Sequence, residues 1–324
     1  MRYVVGIDIG GTNLVVGTVA EDGSELLGEV VEPTHSEEGA DAVLERMGRL
    51  VKHSTSAAKG KDIVGVGIGS PGPLDTHRGI VLFTPNLGWT NFPLRDRVTK
   101  VTGLPAELDN DANCAIYGEW WRGAARGAKA VVGLTIGTGI GGGIVLDGKI
   151  YHGASDVAGE IGHTTIDPTG RRCKCGNYGC LEAYASGPAI AARAAEGIES
   201  GVETTLAKYV AGYLSKLTAQ VVYQAAHDGD QYAQEVVNDT AKLLGAGVAN
   251  IINIFNPDVV VICGGVTLAG SRLFDPLRRE VHRRAFKDAV KACRIVPGEL
   301  PGTAGVYGAA AAFIDKHLGH REGA

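Results

Sequence analysis

Residues 133–148 read GLTIGTGIGGGIVLDG, and within them Gly137, Gly139 and Gly142 reproduce the G-x-G-x-x-G spacing of a dinucleotide fingerprint. That spacing binds a pyrophosphate only when a strand precedes it and a helix comes after, because the phosphates rest on a helix N-terminus. A strand is expected before it, since 130–136 is a run of apolar and β-branched residues. Beyond the glycines stand Ile144-Val145-Leu146, then Asp147-Gly148, then Lys149-Ile150-Tyr151. Two short runs around an Asp-Gly pair predict a β-hairpin, so no helix opens and the dinucleotide fold is excluded.

The same order of parts stands at the start of the chain. VVGIDIGGTNLVVGTVAEDG (4–23) predicts strand, Gly-Gly-Thr turn, strand and Asp22-Gly23 turn, with ELLGEVVEP (25–33) as a third strand. Taken singly, each glycine cluster is a tight turn. As a pair, each with a threonine beside the glycines (Thr12 and Thr138), they predict a duplicated α/β architecture. Their backbone N–H groups could then curl around phosphate oxygens. Thr34 to Glu37 resembles a capping box opening a helix through Val43, Leu44, Met47, Leu50 and Val51. DIVGVGIGS (62–70) predicts a buried strand ending in a Ser70-Pro71-Gly72-Pro73 turn. LPAELDNDANCAIYGEWWRG predicts a strand, then a helix capped by Asn110 or Asp111 and running to about Trp121. Residues 186–256 read as mostly helical, PDVVVICGGV as a strand and glycine turn, and GAAAAFIDKHL as a closing helix.

With 324 residues, 44% of them hydrophobic, the chain can hold two domains with a large core. A net charge of -5 argues against nucleic acid or an anionic membrane as partner. The opening RYVVGIDIG is too short an apolar run for a signal peptide, no segment approaches a membrane span, and a cytoplasmic enzyme is expected.

Cys114, Cys263 and Cys293 stand alone and read as inert buried residues, whereas His163, Cys173, Cys175 and Cys180 fall within eighteen residues. Three thiolates and an imidazole meet the tetrahedral demand of structural zinc, although the His-x9-Cys-x-Cys-x4-Cys spacing is not a common finger. Reduced, unligated cysteines are the alternative. Bound zinc would staple the loop carrying Glu160 to the loop carrying Glu182 and, with four protein ligands, would leave no open position.

Asp8, Asp111, Glu160 and Glu182 each fall at a strand end or beside a glycine turn. Asp111 has two readings: a helix N-cap, which local sequence favours, or a base aimed at a substrate hydroxyl. Phosphoryl transfer needs such a carboxylate, a second acid near the phosphates and backbone donors around them. Asp8 suits the metal-facing position, through water. Asn110, Glu160, His163 and Glu182 could supply the fixed hydrogen bonds of a sugar site.

DIGGTN, GIGSPGPLD, TPNLGW, LDNDANCAIYGE, GTGIGGG, GEIGH, CKCGNYGCLE and ICGGV occur here in the order seen in the ROK family of bacterial sugar kinases and repressors. The resemblance spans nearly the whole chain and is nearest to the ROK glucokinases. It implies an actin-like ATPase (ribonuclease H-like) duplicated fold, with two α/β domains around a cleft. Residues 1–117 plus 303–324 would form the small domain, and 118–302 the large one with the zinc loop. It implies ATP with Mg2+, structural Zn2+ on His163, Cys173, Cys175 and Cys180, and glucose or a related hexose as acceptor. By the same resemblance, Asp111 takes the proton from the sugar 6-hydroxyl. Asn110, Glu160, His163 and Glu182 hold the sugar, with Asn86 lining the same pocket. Gly10, Gly11, Thr12, Thr138 and Gly139 embrace the phosphates, and Gly264, Gly265 and Val266 border the adenosine. Asn13 departs from the lysine that many members carry there. A homo-oligomer, dimer or tetramer, is the family habit.

Rival expectations are a kinase for mannose, fructose, N-acetylglucosamine or N-acetylmannosamine, a polyphosphate-dependent kinase, and a sugar-responsive regulator. Repressor relatives carry an N-terminal helix-turn-helix, for which a first strand beginning at Tyr3 leaves no room.

Overall fold

The computed structural model describes residues 1–319; residues 320–324, expected in the small domain, lie outside the described residues. The chain forms two compact units. One comprises, of the described residues, 1–131, 143–159 and 299–319; the other comprises 132–142 and 160–298.

In the first unit, β1 (Arg2–Ile9), β2 (Asn13–Ala20) and β3 (Leu26–Pro33) form the predicted meander. Helix α1 (Ala40–Ala57) returns the chain to β4 (Asp62–Ser70). Next is a small antiparallel sheet made of β5 (Leu74–Asp75), β6 (Ile80–Thr84) and β7 (Trp89–Phe92). Then come α2 (Leu94–Thr102), β8 (Ala106–Asn110) and α3 (Asp111–Arg122).

The second repeat opens with β9 (Ala130–Ile136), β10 (Ile140–Leu146) and β11 (Lys149–Ile150). Residues Asp147 and Gly148 both have positive φ, as a tight hairpin turn requires, and Val145 pairs with Ile150. The helical stretch after it holds α4 (Glu182–Ala185), α5 (Gly187–Glu199), α6 (Leu206–Tyr209), α7 (Ala219–His227) and α8 (Gln231–Phe255). Strand β12 (Val259–Cys263), α9 (Ser271–Arg284), α10 (Lys287–Ala292), β13 (Arg294–Pro297) and α11 (Ala304–His317) complete the order.

The duplication is visible in the strand order. One sheet runs β3-β2-β1-β4-β8 and the other β11-β10-β9-β12-β13, the same pattern of a hairpin flanking a central strand with two crossovers beyond it. In the first sheet, β1 pairs antiparallel with β2 and parallel with β4, and β4 pairs parallel with β8.

Side chains alternate across β1, and each face meets a different helix layer. Val5, Ile7 and Ile9 join Val43, Leu44, Met47, Leu50 and Val51 of α1 in one buried cluster, as the helical spacing predicts. The other face carries Gly6 and Asp8 and lies against α11. Here the helix backbone approaches so closely that a Cβ built on Gly67 would overlap the carbonyl oxygen of Ala309. Gly67→Ala should therefore destabilise the fold by about 3 kcal/mol, at the upper end of overpacking costs, read as a lower urea midpoint with unchanged slope.

The capping box is not formed. His35 takes a left-handed conformation (φ 47°), Ser36–Glu38 make a short 3-10 turn, and α1 starts after Gly39. The Thr34 hydroxyl is used elsewhere: it donates to the Gly10 carbonyl at 2.7 Å, bracing the first glycine turn. A long-range bond outcompetes the local cap.

Candidate active site

Parallel strands leave their carboxyl ends open to ligands. At those ends of β1, β4 and β8, Asp8 pairs with Gly69, and Gly69 with Asp109. The chain then turns from β8 into α3 through Asn110 and Asp111. Asn110, in extended conformation, is the N-cap: its Oδ1 accepts the N–H groups of Ala112 (2.9 Å) and Asn113 (3.2 Å). Asp111 is the first helical residue, and its Oδ1 accepts the Ala112 N–H at 2.8 Å. The cap is thus supplied mainly by Asn110, and the local reading that favoured Asp111 as the N-cap is corrected.

Asp8 and Asp111 sense one another. Burial, and secondarily the charge of Asp111, pushes the Asp8 carboxyl from its ordinary 3.8 up to about 7. The first turn of α11 lies against this carboxylate, since a Cβ on Gly305 would overlap it, and that positive helix end favours the charged form in part. Burial and the charges of Asp109, Asp8 and Asp111 together raise the Cys114 thiol well above its usual range, which keeps that sulfur inert.

A raised carboxyl makes a stability prediction. Between 3.8 and about 7 the folded chain holds a proton that the unfolded chain has released. The Asp8 contribution is therefore fully present below 3.8 and lost as pH rises through about 7. In metal-free protein, Asp8→Asn should melt higher than the parent above about pH 7, and the gap should close on acidification. Melting curves across that range check it.

Beside Asp8, Gly10, Gly11 and Thr12 form the first glycine turn, closed by Gly10 N–H to Asn13 O at 2.8 Å. Asn86 is exposed, and its Cβ and Nδ2 lie 3.6 Å from the Cβ position of Gly11, so the sugar-pocket candidate borders the turn.

In the second unit, Gly137, Thr138 and Gly139 make the matching turn, with Gly137 N–H donating to Gly139 O at 2.9 Å. Glu182 lies beneath it: Oε2 accepts the Ile140 N–H at 2.8 Å and sits 2.5 Å from where a Cβ on Gly139 would stand. Thr138, Gly265 and Val266 line a cavity of about 840 Å³, and Gly264 (φ 102°) packs directly on Ile136 next to it. The far wall comes from helices: Gln220, Tyr223, Gln224 and His227 on or beside α7, and Arg272 on α9. No sequence motif had marked these residues. They stand on amphipathic helices whose pocket-facing positions look like ordinary surface.

His163, Cys173, Cys175 and Cys180 converge, with their ligand atoms within 4.8 Å of one another. Cys175 and Cys180 sulfurs are 3.7 Å apart, and Cys173 Sγ is 3.7 Å from His163 Nδ1. These are thiols rather than a disulfide, and edges near 3.7 Å are those of a tetrahedron with ~2.3 Å zinc–sulfur bonds. Burial pushes the Cys180 thiol up to about 12, a penalty that a divalent cation would reverse. The His163 ring presents Nδ1 to Cys173 and Nε2 toward Glu160, 3.9 Å from its Oε2. Glu182 Oε1 is 3.8 Å from Cys173 Sγ. One cluster therefore touches both carboxylates that flank it in sequence.

A duplicated α/β frame with paired glycine turns is the actin-like ATPase architecture. The ROK family model matches residues 4–316, and the chain belongs to that family. A glucokinase of Thermotoga maritima is 40% identical over 98% of both chains. A xylose repressor of Caldicellulosiruptor bescii is 34% identical over 98% of this chain and 80% of its own length. Among solved structures, a ROK family glucokinase from Streptomyces griseus in complex with glucose and AMPPNP is 35% identical, with a TM-score of 0.81, covering 96% of this chain and 98% of that one. Among the described residues no helix is long and apolar enough to cross a membrane.

Proposed function

We propose that this chain is an ATP-dependent glucokinase that transfers a phosphoryl group to the 6-hydroxyl of glucose. The observation that carries the reading is the β8–α3 corner, where Asn110 caps the helix and Asp111, its first residue, lies within electrostatic reach of Asp8. Near-full-length identity to glucokinases supports the choice of sugar.

Asp111 accepts the hydroxyl proton as the sugar oxygen bonds to the γ-phosphorus and the bond from that phosphorus to the departing ADP oxygen breaks. The Asn110 amide, Glu160, His163 Nε2 and Glu182 hold the other hydroxyls, with Asn86 beside them. The N–H groups of Gly10, Gly11, Thr12, Thr138 and Gly139 receive the phosphates, and the cavity bordered by Gly264, Gly265 and Val266 takes the adenosine. Mg2+, when bound, would neutralise phosphate charge, and Asp8 is the acid that would hold it, since a nearby cation offsets the cost of its ionisation. His163, Cys173, Cys175 and Cys180 hold structural Zn2+, and free thiols beside one another suit the reducing cytoplasm.

The test is a panel of glucose, mannose, fructose, N-acetylglucosamine and N-acetylmannosamine, with ATP and with polyphosphate, compared by kcat/KM. Glucose with ATP should lead. A higher value for another sugar reassigns the acceptor, and sugar binding without any phosphorylation would make the chain a regulator.

A further inference from the structure

We propose that His152 is a positioning residue for the phosphoryl-transfer base, acting through Asp109; the inference rests on the reading of Asp111 as that base. Asp109 is nearly buried, and its carboxylate ties three parts of the first unit together. Its Oδ1 accepts the backbone N–H of Asn110 at 2.7 Å and the side-chain amide of Asn113 at 3.1 Å. Its Oδ2 meets His152 Nε2 at 2.7 Å. The Asn110 peptide is the link on which β8 turns into α3, one residue before Asp111. Fixing the Asp109 carboxylate fixes the direction from which Asp111 projects.

His152 is itself held in place. Its carbonyl accepts the Ala158 N–H at 3.1 Å. Asp156, at a left-handed φ of 58°, accepts both the N–H (3.0 Å) and the hydroxyl (2.9 Å) of Thr76. A loop clamped at both points presents the imidazole at a defined place, which a swinging surface histidine would not.

Charge points the same way. Asp8, Asp109 and Asp111 are close enough that all three act on Cys114. Protonated His152 sets a positive charge beside Asp109, and the bond to Asp109 favours that protonated form while partial burial opposes it. Asp156 favours it too, while Lys316 of α11 opposes it. Glu107, Asp315 and Lys149 border the same cavity, of about 330 Å³, together with Tyr117. A cation here pairs with Asp109, and its loss frees the carboxylate that aligns the Asn110 peptide and, one residue on, Asp111.

The cavity also provides the experiment, because imidazole can enter the space vacated in His152→Ala. That variant should lose about 10²-fold in kcat, the scale of a small misplacement, with glucose KM changed by less than about threefold. Added imidazole should restore kcat, more at about pH 6 than at about pH 9, since the cation is the active form. His152→Gln, which keeps a neutral donor to Asp109, should fall between the two. A His152→Ala enzyme with parental kcat, alongside an inactive Asp111→Asn, overturns this inference alone. Parental kcat in Asp111→Asn overturns the reading beneath it. If His152→Ala fails to fold, His152→Gln decides: lowered kcat at an unchanged melting temperature supports the role, and unchanged kcat refutes it.

Discussion

Asp111→Asn should lower kcat by roughly 10³-fold, within the range a positioned general base contributes. The expected loss is in the chemical step. Asparagine keeps the size and the acceptor oxygen, so the 2.8 Å contact with the Ala112 N–H can persist and α3 should start where it does now. Because Asn110 provides the cap proper, the helix should not fray either. Glucose binding without nucleotide, measured by calorimetry, should therefore weaken by less than about tenfold, the scale of one hydrogen bond. The amide also removes one negative charge facing Asp8, so Asp8 should titrate lower than its present value of about 7. Turnover within about tenfold of the parent would remove Asp111 from the proton path, because a base that matters contributes more than that.

Cys175→Ala should abolish metal binding, and glucose affinity should suffer before ATP affinity does. Cys175 is exposed, so its truncation leaves no hole in the core and the effect reports on the ligand set. Structural zinc sites contribute on the order of 10 kcal/mol, and three remaining ligands hold the ion far less tightly. Without it, Cys173 and Cys180 should relax, and Cys173 lies beside two groups proposed to hold the sugar, 3.7 Å from His163 Nδ1 and 3.8 Å from Glu182 Oε1. The glucose KM should rise by about tenfold or more, as when a shell supporting a site is lost. The ATP KM should move less, because Gln220, Gln224 and Arg272 stand on helices remote in sequence from the zinc loop. Metal analysis and paired KM measurements check both halves. A zinc-free variant with parental glucose affinity would show that the metal does not support the sugar site.

Much of the frame was legible because its signals are local. Two Asp-Gly turns and two glycine clusters mark hairpins wherever they stand, and the two sheets share one strand order. The spacing of Val43, Leu44, Met47, Leu50 and Val51 identified the buried face of α1, all five being buried. The cysteine and histidine cluster was legible for a chemical reason, since few other arrangements gather three thiols.

The misses are long-range. Thr34 looked like a cap, but its hydroxyl belongs to Gly10, twenty-four residues earlier. The β5–β7 sheet escaped notice because its strands are two, five and four residues long, too short for alternation to declare itself. His152 carries no motif at all, and only the fold brings it to Asp109. The helical wall of the larger cavity has the same character.

The shared strand order has a consequence for altering this protein. Each half presents a glycine turn on the same scaffold, yet only one adds the aspartates of β1 and β8, and only the other adds the helical walls of α7 and α9. The large cavity and the acidic corner have no side chain in common. If the large cavity takes the adenosine as proposed, libraries randomised at Gln220, Gln224 and Arg272 should alter nucleotide preference without touching Asp8, Asp109 or Asp111.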